Sequence, residues 1–430
     1  MKKNITLLLL VVSAAASAQQ LKLEDAVNIA LKNSLDLQLA KNYVDIAHIN
    51  NYIGMAGGLP VVTAGAVDNY SFIGVHQKLN TGEVIKRTGA NANNVNANLT
   101  GSILLYNGLR VHATKQRLEE LELQSKDQLN SQVQNIMAAA MTAYYDIIRQ
   151  QQYIKTIDIA IDVAQKRLNI VKTQQSVGLA NNADLFQSQV DLNNLEQSRE
   201  SQRLIVDQAK SELLRILTLK ADSLIEVQDT IIVDRNITLD ATLNRLSGNA
   251  DIVAADEQIK INQLIIKETA AQRYPTIRAS TGYSYSQNNA LAGQLLLNQS
   301  YGPLIGLSLN IPIYNGAVYK RQQKIAEINT QNAVVQKNIL MRDYSANIVK
   351  TFQAYAATLQ ELDGQQKNFE LAQQLLSLVL QRFQLRQATI IEVTQAQQSF
   401  VTAGFSLINY SFVAKSAEIE LKRVANMLAL

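Results

Sequence analysis

The 430-residue sequence contains no cysteine, no tryptophan, three histidines and four prolines. Without cysteine there is no disulfide framework, no thiolate zinc site and no residue to carry a lipid anchor. His48, His76 and His112 are far apart and have no ligand spacing with carboxylates, so a metal centre is not expected. No nucleophile motif or phosphate-binding glycine loop is present, and the sequence gives no reason to expect an enzyme or a cofactor. Basic and acidic residues number 40 and 36. A balance that close gives no basic surface for nucleic acid. Beyond the first residues, no apolar run approaches the roughly 18 residues that a membrane-spanning helix needs.

What is present begins with a leader. Lys2 and Lys3 precede an apolar stretch from Ile5 to Val12, and Ala16-Ser17-Ala18 forms a small-residue cleavage site before Gln19. This pattern predicts a secretory signal over residues 1–18. The rest of the chain then works outside the cytoplasm, without lipidation. A secreted chain lacking apolar helices has one remaining way to span a membrane, as a closed β-barrel.

The prolines divide the chain. Pro60, Pro275, Pro303 and Pro312 leave long proline-free stretches that are free to be helical. From Leu118 onward the apolar positions Leu121, Leu129, Val133, Ile136, Ala140, Tyr144, Ile147, Ile154, Ile157, Ile161, Ala164, Leu168 and Val171 are separated by threes, fours and their sums. That is the coiled-coil period. A helix from about Leu109 to Gln175 would be roughly 100 Å long. The segment Ser176 to Asn182 reads as a turn, and a returning helix is predicted from about Ala183 to Leu219. The result is a long antiparallel hairpin with its tip at Gly178.

The proline-flanked segments alternate with period two instead. Asn94 to Tyr106, Thr276 to Ser286, Ile305 to Ile313 and, less cleanly, Val61 to Phe72 have the length of a tilted membrane strand, about 9–13 residues. Tyr70, Phe72, Tyr106, Tyr283, Tyr285, Tyr301 and Tyr314 fall at or near their ends, where an aromatic belt would lie. Loops are expected around Gly74 to Asn93 and around Gln287 to Tyr301.

Two copies of one unit account for this order. Leu105-Tyr106-Asn107-Gly108 recurs as Ile313-Tyr314-Asn315-Gly316, offset by 208, and Val177-Gly178 through Asp184 to Gln189 matches Leu385-Arg386 through Glu392 to Gln397 at the same offset. Upstream, Asp36-Leu37 and Pro60 match Asp251-Ile252 and Pro275 at an offset of 215. The difference falls in the strand hairpin, where loops tolerate length changes. The expected organisation is a leader (1–18), a first repeat (19–219), a connector (220–238, an equatorial region) and a second repeat (239–430). Four strands cannot close a barrel, and open edges are not tolerated in lipid. A barrel therefore requires several copies, and three would supply twelve strands.

The order of elements, the Tyr-Asn-Gly after each second strand, and Gly178-Leu179 followed by Asp184 resemble the TolC-type outer-membrane efflux family over about residues 21–430. The resemblance implies an α+β, mainly α, fold: long antiparallel coiled-coil helices forming a periplasmic α-barrel, and four strands per chain in a trimeric 12-stranded transmembrane β-barrel. It implies a homotrimer in the outer membrane of a Gram-negative bacterium, in contact with outer-membrane lipid. The trimer would serve as the passive conduit of a tripartite efflux or type I secretion system. Its partners would be a periplasmic adaptor and an inner-membrane transporter. The alternative is a secreted coiled-coil structural or adhesion protein, which explains the rods and the leader but not the paired strand hairpins.

By position, the resemblance places Asp184 and Glu392 at the periplasmic aperture, where a ring of carboxylates would favour cations and raise its members' pKa by repulsion. Arg386 replaces the tip glycine and Gln395 stands where an acidic residue is frequent, so Arg386 is the candidate for an ion-pair lock. Val177, Gly178, Leu179 and Ala180, with Leu385, Arg386, Gln387 and Ala388, are the expected adaptor contacts.

Overall fold

The computed structural model describes residues 19–292 and 295–429; the expected leader lies outside them. The first part of the chain runs β1 (Gln19–Gln20), α1 (Leu23–Asn33), α2 (Leu35–Asn50), β2 (Val61–Lys78), β3 (Val84–Tyr106), α3 (Arg110–Ser176) and α4 (Asn182–Ile216). After β4 (Ile225–Glu226) come α5 (Leu239–Arg245), a short 3₁₀ turn, α6 (Ala250–Ala271), β5 (Thr276–Ala290), β6 (Leu297–Asn310), α7 (Val318–Gln384) and α8 (Ile390–Val424). Helices α3 and α7 have 67 residues each, and α4 and α8 have 35 each. Among the described residues, no helix is long and apolar enough to cross a membrane.

The chain forms two compact units, each drawing on both halves of the sequence. Of the described residues, one comprises 19–41, 129–252 and 340–429. Its largest core joins Ala26, Val27 and Ala30 of α1 to Ile136, Ala140, Tyr144, Ile147 and Ile148 of α3, and to Leu213 and Leu214 of α4. Apart from Ile148, these α3 positions are the heptad residues of the sequence pattern, and burying each large side chain contributes about 1.5–3 kcal/mol. Tyr144 is fully buried, and its hydroxyl donates to the Leu21 carbonyl at 3.1 Å, which satisfies the polar end. A second cluster joins Val163 and Val171 of α3, Leu376, Val379 and Phe383 of α7, and Val393, Ala396 and Phe400 of α8.

The other unit, residues 42–128 and 253–339, holds an antiparallel sheet in the order β2-β3-β5-β6. The two hairpins share one register: Val61 lies opposite Ser102, and Thr276 lies opposite Asn310. Pro60 and Pro275 each directly precede a strand, and Pro303 lies on the edge strand β6, as the missing N–H requires.

The strands are longer than the sequence predicts. Val84–Tyr106 has 23 residues and Val61–Lys78 has 18. Most of the stretch expected as a loop from Gly74 to Asn93 is paired strand, closed by a turn between Leu79 and Glu83 with Gly82 at φ +89°. Similarly, β5 and β6 remain paired out to Asn289 and Leu297. The reason is chemical. Residues such as Lys86, Arg87, Asn91 and Asn93 are polar on both faces, so the ladder continues through backbone hydrogen bonds after the apolar alternation has ended.

Candidate functional site

The sheet has two unlike faces. Reading across the registers, one face carries the rows Ile103-Ala279-Leu307, Val62-Gly101-Thr281-Ile305, Ala64-Leu99-Tyr283-Pro303 and Ala66-Ala97-Tyr285-Tyr301. The next row outward, Asp68-Val95-Gln287-Gln299, is polar. The apolar band thus ends at the Tyr285–Tyr301 pair, where amphipathic rings suit a lipid–water boundary. Its residues are open to their surroundings: Ile305 is 90% exposed and Leu307 72%.

The opposite face is polar and nearly uncharged. It carries Thr63-Thr100-Gly282-Leu304, Gly65-Asn98-Ser284-Gly302 and Val67-Asn96-Ser286-Ser300. Beyond these, four asparagines form one row across all four strands: Asn69, Asn94, Asn288 and Asn298. Apolar-out, polar-in alternation is the pattern of a membrane barrel around water. Strands β2 and β6 each have one unpaired edge within the chain.

The helix tips belong to the other unit. At the first, Gly178 has φ +75°, and the Gly178 and Leu179 amides donate to the carbonyls of Gln175 and Gln174. At the second, Arg386 has φ +63°, and the Arg386 and Gln387 amides donate to Phe383 and Arg382. Both are Schellman-type helix ends. Val177, Leu179, Leu385 and Gln387 are exposed, whereas Ala180 and Ala388 are half-buried and pack on the apolar cluster of Phe383 and Val393.

Each return helix is capped. The Asn181 side chain accepts from the Asp184 amide at 2.8 Å. Thr389 and Glu392 form a full capping box, in which the Glu392 carboxylate accepts from the Thr389 amide at 2.6 Å and from its hydroxyl at 2.9 Å. The backbone hydrogen bond from Thr389, and then its hydroxyl, hold Glu392 below the usual carboxylate range. Within one chain the cap therefore acts opposite to the increase that a ring of carboxylates would bring. Gln395 is exposed, and Arg386 makes no ion pair among the described residues of its own chain.

A buried network that no sequence motif marks lies behind the tips. The Arg167 side chain is fully buried on α3, donating to Asp191 of α4 at 2.7 Å and to the Thr394 hydroxyl of α8. Burial pushes the guanidinium pKa down, against the opposing pull of Asp191. Gln397 of α8 donates to the Ala160 carbonyl of α3 at 3.2 Å. The available signal was a single arginine inside the apolar stripe Val163, Ala164, Leu168, Val171.

The comparisons agree with this geometry. A family model described as outer membrane efflux protein matches residues 26–218 and 244–427. The proteases secretion protein PrtF of Dickeya chrysanthemi is 22% identical over 442 residues, covering 100% of this chain and 93% of that protein. The outer membrane protein TolC of Escherichia coli (strain K12) is 23% identical over 351 residues, covering 76% of this chain and 70% of that protein. Among solved structures, the CmeC outer membrane channel of Campylobacter jejuni has a TM-score of 0.77 at 15% identity, covering 94% of this chain and 85% of that one. VceC of Vibrio cholerae has a TM-score of 0.76 at 18% identity, covering 94% and 96%. The match spans both halves of the sequence, so the chain belongs to the outer membrane efflux protein family, as an outer-membrane channel and not an enzyme.

Proposed function

We propose that three copies of the chain close a twelve-stranded barrel in the outer membrane and a helical conduit on its periplasmic side. This conduit passively carries substrates handed over by a periplasmic adaptor and an inner-membrane transporter, in efflux or in type I secretion. The observation that carries the reading is the two-faced sheet with both outer edges unpaired. An apolar face of this kind is at home against lipid, and lipid does not tolerate open strand edges. The chain then reads as two repeats, residues 19–219 and 239–430, joined by the connector 220–238; the equal lengths of α3 and α7, and of α4 and α8, support that division.

At the tips, Asp184 and Glu392 contribute to the aperture, with Gln395 thinning its acidic ring and Arg386 free to pair with a carboxylate of another copy. The exposed tip residues Val177, Gly178, Leu179, Leu385, Arg386 and Gln387 are the surface offered to the adaptor, and Ala180 and Ala388 support them from behind. Fractionation with planar-bilayer recording tests the reading. A heat-modifiable oligomer in outer-membrane fractions that conducts ions supports it. A protein released by salt wash, without conductance, would favour a coiled-coil structural role.

A further inference from the structure

Where the strands pass into the helices, the polar face of the sheet opens onto a cavity of about 670 Å³. One side of it is basic. Arg278 lies on the polar face of β5, in the row Leu104-Arg278-Ser308. Arg110, Thr114 and Arg117 follow one another at spacings of four and three, so they form one stripe along the first two turns of α3. Arg278 and the whole stripe line the same cavity. The other side is the loop between α2 and β2, which contributes Met55 and Leu59. Both are open to the surroundings, at 62% and 38% exposure.

The charge in this cavity is not balanced. Arg117 donates to Glu268 at 2.7 Å, and Glu268 is the one acidic residue of the lining. Arg110 and Arg278 are exposed and make no ion pair among the described residues. Their guanidinium charges therefore face the cavity without a carboxylate. The fold does not require them. The offset of 208 carries Arg110 and Arg117 to Val318 and Ile325, and the offset of 215 carries Arg278 to Thr63. Both repeats turn the same corner from strand to helix, and one of them does so without the arginines.

We infer that this cavity binds small organic anions on their way through the conduit. A carboxylate, sulfonate or phosphate group of the solute is held by Arg110 and Arg278, whose forked N–H donors match a planar pair of anionic oxygens. Its apolar part rests on Met55 and Leu59. An inorganic anion would use only the basic side of the cavity, and a neutral aromatic only the apolar side. The cavity continues the polar face of the sheet and not the lipid-suited one, so the occupant is a dissolved solute rather than a lipid headgroup. The inference rests on the conduit reading and adds a class of cargo to it.

Calorimetric titration of the full-length protein in non-ionic detergent tests the site without requiring conduction. The probe is 2-naphthalenesulfonate, which should bind saturably. The neutral 2-naphthalenesulfonamide and inorganic sulfate should each bind at least about tenfold more weakly. Arg110→Gln with Arg278→Gln should weaken the probe at least about tenfold, because charge-assisted hydrogen bonds are lost. Lys220→Gln, which removes an exposed charge from the connector, should leave its affinity unchanged. Both arginines are exposed, so their replacement leaves the packed core intact. In planar bilayers the probe should reduce the native current and spare that of the double variant. No saturable binding, equal binding of the sulfonamide, equal affinity in the double variant, or an equal loss in Lys220→Gln overturns the inference. Displacement of the probe by phosphatidylglycerol at lower concentration than by 2-naphthalenesulfonate itself would assign the site to lipid and overturn it too. Conduction without binding refutes the site alone, whereas a protein that forms neither oligomer nor channel refutes the conduit reading itself.

Discussion

Gly178 and Arg386 occupy the same left-handed backbone position at the ends of the two long helices, with φ +75° and +63°. Glycine adopts that conformation freely, whereas an L-side chain there costs about 1–2 kcal/mol. Leu109, Thr218, Ala317 and Asn426 also adopt positive φ, so what sets Arg386 apart is its exposed charge at the tip. If Arg386 pairs with a carboxylate of another copy to hold the aperture closed, Arg386→Ala should raise single-channel conductance in planar bilayers. Arg386→Lys should not, and Arg386→Gly should raise conductance while also increasing thermal stability by about 1 kcal/mol. Unchanged conductance in the alanine variant would remove the locking role.

If Glu392 lines the aperture, as proposed, the capping box gives that aperture a pH signature. Thr389 holds the Glu392 carboxyl below its ordinary range, so the negative charge persists as pH falls below the usual value near 4.5. Cation selectivity from this residue should therefore survive to a lower pH than for a free carboxylate. In Thr389→Ala its loss should move upward toward that value, and helix stability should fall by about 1 kcal/mol. Reversal potentials measured from pH 6 down to about 3 check this. A wild-type loss above pH 5 would mean that repulsion between carboxylates of different copies overrides the cap.

The Arg167 network should behave as a buried ion pair. Asp191→Ala leaves a buried guanidinium without its carboxylate and should cost about 3–5 kcal/mol, read as a lower unfolding temperature in detergent. Arg167→Met with Asp191→Leu, which removes both charges, should be much milder. Equal losses in the two variants would show that packing rather than charge holds α3, α4 and α8 together at this point.

Acid stability offers a separate check, in the unit that holds the sheet. Glu122 accepts from Lys126 at 2.7 Å, from Asn51 at 2.7 Å, and meets His48 at 3.3 Å. These partners, Lys126 foremost, hold its carboxyl down at about 2. A depressed folded-state pKa stabilises the fold above the ordinary value near 4.5 and loses that stabilisation as pH falls through about 2. The unfolding temperature of the native protein should therefore drop between pH 4.5 and 2 more than that of Glu122→Gln. Parallel curves would show that other groups dominate acid unfolding.

Much of this molecule is legible in the sequence because its elements are long and periodic. Leu121 to Val171 mark α3, and the 208-residue spacing between Gly108 and Gly316 fixes α7 by likeness. The strands were legible only where one face meets an apolar medium: Ile305, Leu307 and Leu309 gave a signal, and Asn91 and Lys86 gave none although they continue the same ladder. At the tips, positions came from spacing, but their state did not. Thr389-Ile390-Ile391-Glu392 carries a readable capping pattern, whereas the Arg167–Asp191–Thr394 contact joins three helices distant in sequence, and no local pattern encodes it.

The two faces of the sheet make the last prediction. Ile305 lies at the middle of the apolar rows, and Ser308 lies on the polar face of the same strand. If the apolar face meets lipid, Ile305→Lys places a charge near mid-membrane, at a cost of about 2–4 kcal/mol per chain. Since every copy carries the change, insertion and the heat-modifiable oligomer should be lost. Ser308→Lys puts the same charge toward water inside the barrel. It should insert normally and shift the reversal potential toward anions, adding to the positive charge of Arg278, which lies opposite Ser308. Normal insertion of Ile305→Lys together with failure of Ser308→Lys would mean that the sheet is turned the other way, with the asparagine row outside.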